Sequence, residues 1–87
     1  MSLLSNSIAI VGSVMALSAL PQIIKIFRRK SAKDISVATY ILLLLGGLVW
    51  IAYGIEIGNF PIVITNSIGI LMVALIIWGW FLYGRQI

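Results

Sequence analysis

The chain has 87 residues, 62% of them hydrophobic and only 9% charged, and a soluble domain this small cannot hide that much apolar surface. Its net charge of +4 would suggest nucleic acid in a soluble protein, but five of the six cations fall between Lys25 and Lys33, beside apolar runs, which is the pattern of a topology signal at a membrane surface and not of a nucleic-acid patch. There is no cysteine and no histidine, so disulfide and thiol chemistry are excluded and the usual zinc and haem sites are not expected.

The chain is expected to form a single bundle over 1–87, with apolar runs at about 6–27, 37–57 and 61–83. Each has the roughly twenty residues that cross about 30 Å of hydrocarbon as a helix. Backbone groups in lipid must pair within the segment, and three strands cannot close a barrel, so an all-α membrane protein of three transmembrane helices is predicted. The first run has no cation before Lys25 and is too long for a signal peptide, so it is read as a mature first helix.

The connections are short. "RRKSAKDIS" joins the first two runs, with Asp34 or Ser36 as candidate caps of the second helix. "EIGNF" joins the last two, with Gly58 and Asn59 in the turn and Pro61 in the first turn of the third helix. The first connection is rich in Lys and Arg, the second has none, and the tail carries Arg85. The positive-inside rule therefore puts the N-terminus outside and the C-terminus in the cytoplasm. Trp78, Trp80 and Tyr83 sit where an aromatic belt is expected at the cytoplasmic end of the third helix.

Pro21 lies roughly 10 Å inside the basic end, at 1.5 Å per residue. It has no N–H for the carbonyl of Leu17, so the helix must kink there, either as a static bend or as a hinge; Ser18 and Gln22 are the polar groups nearby. Trp50 lies roughly 9 Å, and Asn66 roughly 8 Å, from the opposite face on adjacent helices. Taken singly, Trp50 is either core filling or a ligand contact, and Asn66 either interhelical glue or a ligand contact. Together, an indole face and a buried amide suit a sugar, which offers C–H faces for stacking and hydroxyls that need a donor and an acceptor. Tyr53 is one turn outward of Trp50, and Thr39 and Tyr40 lie near the other end of that helix; the tyrosines are either interfacial anchors or closures of the site. Gly12 with Ala16, and Gly46, Gly47 and Gly54, are small residues of the kind that let helices approach.

No ionisable residue falls in the middle of a span, which argues for passive, uncoupled transport or none. No catalytic dyad, phosphate loop or metal cluster is evident, so the chain is not expected to be an enzyme or to need a cofactor.

At "LPQIIKIFRRKSAKDIS" the chain resembles the PQ-loop family, and most of all the SemiSWEETs, three-helix bacterial relatives of the SWEET sugar transporters. "WIAYG" at 50–54 and "TNSIG" at 65–69 carry the resemblance further, so that it covers about 6–83. It implies that the third helix packs between the first two (1-3-2 order). It also implies a parallel homodimer in the bacterial inner (cell) membrane that moves a mono- or disaccharide of the glucose or sucrose class by alternating access. By motif position, Trp50 and Asn66 would bind the sugar, Pro21 and Gln22 would form the hinge, and Tyr53 the outer gate. Thr39 and Tyr40 stand at the inner gate, where many relatives carry a Met–Phe pair. Dimerisation has independent support, since three helices cannot surround a sugar-sized path and also shield it from lipid. The alternatives are a PQ-loop carrier for a non-sugar solute and a non-transporting small membrane subunit.

Overall fold

The computed structural model describes residues 2–33 and 35–84. Asp34, one of the candidate caps, and Arg85, the cation of the tail, lie outside the described residues.

The first span is two helices, α1 (Leu3–Leu17) and α2 (Leu20–Arg29). The second span is α3 (Val37–Glu56), and the third is α4 (Phe60–Gly79) continued by a π-helical turn over Trp80–Gly84. The spans of 27, 20 and 25 residues reach or exceed the roughly 30 Å of a hydrocarbon core.

Local chemistry sets where these helices begin and end. Ser2 caps α1 by accepting from the Ser5 N–H at 3.1 Å. The first span breaks at Ser18 and Ala19, two residues before Pro21, because the proline ring conflicts with the carbonyl four residues back and brings no donor. The chain closes α1 with tight bonds, Ser18 N–H to the Met15 carbonyl at 3.2 Å and Ala19 N–H to that of Ala16 at 3.4 Å. The Ser18 hydroxyl also donates to the Met15 carbonyl. Pro21 then falls in the first turn of α2, where a missing N–H costs little.

α2 ends on Lys30, which is left-handed at φ 54° and ψ 42°. Lys30 N–H bonds the Ile26 carbonyl, and so does Ser31 N–H at 3.3 Å. Arg28 and Arg29 in the last turn complement the helix dipole. Ser36 stands at the N-cap of α3, but its hydroxyl accepts from the Thr39 hydroxyl at 3.0 Å and not from a backbone N–H. Gly58 supplies the positive φ (66°) before α4. Asn59 caps α4 by accepting from the Ile62 N–H at 3.2 Å.

α4 packs against α1 and α2 on one side and α3 on the other. The bundle thus has the 1-3-2 order. Its buried core, Ile23, Ile26, Ala32, Met72 and Ile76, lies entirely toward the basic end. Phe27 extends it, with ring centroids 5.5 Å from Trp78 and 5.8 Å from Tyr83, so two residues of the expected aromatic belt also pack on α2. Close approach at two crossings depends on glycine. A Cβ on Gly79 would sit 2.7 Å from Ile26, and one on Gly12 would sit 2.5 Å from Thr65. Most Leu, Ile and Val side chains on the other faces are exposed, as expected where the surrounding medium is as apolar as they are. The bundle measures 49 × 21 × 13 Å, too thin to enclose a solute.

Candidate functional site

A groove of about 330 Å³ runs between α3 and α4, open along one side. That volume is at the small end of the roughly 300–1,000 Å³ of ligand pockets. Trp50 and Asn66 both line it. The rest of the lining follows from helical register, one and two turns along the same faces toward the basic end. Leu42, Leu43, Gly46 and Gly47 come from α3; Gly69, Ile70 and Val73 join Thr65 on α4.

Few polar atoms in the groove are free. Thr65 donates its hydroxyl to the Pro61 carbonyl at 2.9 Å. Asn66 donates one N–H of its amide to the Ile62 carbonyl at 2.8 Å. A carbonyl can only accept, so this bond fixes which end of the amide faces it, and the Asn66 Oδ1 has no partner among the described residues. The Trp50 indole N–H likewise has none. The groove therefore offers the Asn66 amide oxygen and the Thr65 hydroxyl oxygen as acceptors and the indole N–H as donor, on mostly apolar walls with the indole ring beside them. Trp50 remains 55% exposed and Tyr53 47%, and their rings meet edge to face at 6.1 Å and 80°.

The other candidates lie elsewhere. Pro21 and Gln22 line a second concavity of about 430 Å³ at the basic end, with Ser18, Lys25 and Arg29. Tyr40 packs on the core, and its hydroxyl donates to the Gln22 Oε1 at 3.5 Å. Thr39 is exposed and occupied with Ser36. The structure thus brings Trp50 and Asn66 into one groove with Tyr53 against the indole, and links Tyr40 to Gln22 near the other end. Among the described residues, no cluster of His, Cys, Asp and Glu could hold a metal.

Three apolar spans in 1-3-2 order, with a sparsely polar groove between two of them, define a multi-pass membrane protein of the small-transporter class. A family described as sugar efflux transporters for intercellular exchange matches residues 2–87. The sugar transporter SemiSWEET of Leptospira biflexa is 31% identical over 84 residues, covering 95% of this chain and 99% of its own. That of Escherichia coli is 41% identical over 54 residues, 62% of this chain and 61% of its own. The crystal structure of a bacterial homologue of SWEET transporters superposes with a TM-score of 0.85 at 31% identity, covering 92% of this chain and 96% of that one. The chain belongs to the SemiSWEET family of sugar transporters.

Proposed function

We propose that this chain is a facilitative, uncoupled sugar transporter that works by alternating access as a parallel homodimer in a bacterial inner membrane, with its N-terminus outside and its C-terminus in the cytoplasm. The observation that carries this reading is the groove shared by Trp50 and Asn66. In it a sugar of the glucose or sucrose class stacks a C–H face on the Trp50 indole, donates a hydroxyl to the Asn66 Oδ1 and accepts from the indole N–H. The groove opens sideways and the bundle is only 13 Å thick, so a second copy is needed to shield the sugar from acyl chains.

Tyr53, next to Trp50, serves as the outer gate. Tyr40 with Thr39 serves as the inner gate, and the Tyr40–Gln22 contact couples it to the break before Pro21. Rocking of α2 about that break requires no loss of regular helix hydrogen bonds, because the helix is already interrupted there. Uncoupled transport follows from the lack of ionisable side chains in the middle of the spans.

Proteoliposomes with purified protein should fill with labelled glucose or sucrose to the external concentration and no further, at the same rate with and without a proton gradient. Accumulation driven by the gradient would overturn uniport, and no uptake of either sugar would overturn the substrate class.

A further inference from the structure

We infer that Gly69 is a size-determining residue of the groove: its missing side chain keeps the middle of the groove open, and this limits how large a sugar passes. The inference rests on reading the groove as the sugar site.

A glycine inside a helix usually has one of three reasons: a positive φ, a break, or a close approach by a neighbour. None applies at Gly69 within the single chain, and a close approach by a second copy would show as loss of the oligomer on substitution. The only glycine with positive φ among the described residues is Gly58. α4 runs unbroken from Phe60 to Gly79. A Cβ at Gly69 would have nothing within 4 Å, whereas one at Gly12, Gly47, Gly54 or Gly79 would lie 2.5–3.0 Å from a neighbouring side chain.

Yet Gly69 is half-buried and lines the groove. It is enclosed and empty at once. Gly46, on the facing helix, is also free of neighbours but exposed, so a side chain there has open space to turn into. Gly69 sits one turn from Asn66, roughly 14 Å along α4 from Phe60 and so near the helix's midpoint. A sugar held by the Asn66 amide would extend over it. Glycine is also the poorest helix former after proline, so helix formation gives no reason to keep it here.

The test is uptake of labelled xylose, glucose and sucrose by Gly69→Ala and Gly69→Val in proteoliposomes, with competition by unlabelled sugars ranking any that are not carried. Thermal stability and oligomer mass are measured on the same samples. For the largest sugar handled by the wild type, kcat/KM should fall by about tenfold or more relative to the smallest, with a greater fall in Val than in Ala. Gly69→Ala should melt at or above the wild-type temperature. Equal loss for all sugars, loss of the oligomer, or an unchanged size order would each overturn the inference. Normal uptake by Trp50→Ala and Asn66→Ala would instead remove the site itself. Loss in those two, with Gly69→Val behaving as wild type, would leave the site standing and remove only the role of Gly69.

Discussion

The two ends of the molecule are built differently. At the basic end the chain packs on itself: Ile76 is 1% exposed, Ala32 is 0% exposed, and Phe27 lies between Trp78 and Tyr83. Aromatic exposure does not separate the ends, since Trp78 and Phe81 are as exposed as Trp50; the difference is that the buried cluster stops short of the half toward Glu56, where an open groove runs beside Trp50. α4 is common to both: the packed end adds α2 and the loop after it, and the open groove adds α3. The difference indicates a division of labour. On the proposed reading, the packed end anchors α2 against α4, and the open part presents the sugar-binding surface that a second copy closes.

Substitutions on either side of this division should therefore fail in different ways. The largest effect is expected in the open part. Trp50→Ala should bring sugar uptake in proteoliposomes to the protein-free background while the melting temperature in detergent stays near wild type, because the indole supports little packing. Next comes the packed end. Ile76→Ala should lower stability by about 2–5 kcal/mol through cavity formation, read as a fall in melting temperature, with uptake per folded molecule retained. Gly79→Ala, which forces a methyl against Ile26, should cost about 1–3 kcal/mol by the same measurement. Pro21→Ala should leave stability near wild type but slow uptake, since a continuous first span resists bending; uptake at the wild-type rate would remove the hinge. The smallest effect is expected at Lys30. Its left-handed backbone suits glycine, so Lys30→Gly should raise stability by about 1 kcal/mol.

The sequence exposed some of this better than the rest. The depths of Trp50 and Asn66 follow from counting residues along helices of known rise, and so do their neighbours in register. Counting does not say which face of a helix meets another, and the glycines illustrate the consequence. Gly46 and Gly47 are both of the kind that lets helices approach, but of the two only a Cβ on Gly47 would meet a neighbour, Ile70 at 3.0 Å. The position of the break was approximate for a similar reason. Proline dictates that the helix is interrupted, while the exact residues depend on how Ser18 and Ala19 re-bond to the preceding turn. Ala32 is hidden by its setting: it stands among lysines in a loop, yet the loop folds it into the buried cluster of Ile23, Ile26, Met72 and Ile76.

Whether sugar binds in the groove between α3 and α4 is decided at Asn66. Its Oδ1, without a partner among the described residues, is an acceptor that the groove offers beside the indole. Initial uptake of labelled sugar should be measured for wild type and Asn66→Ala in proteoliposomes of equal protein content, with dimer mass checked on both. Uptake at the protein-free background in an intact Asn66→Ala dimer is the predicted result. Uptake at the wild-type rate would contradict the account.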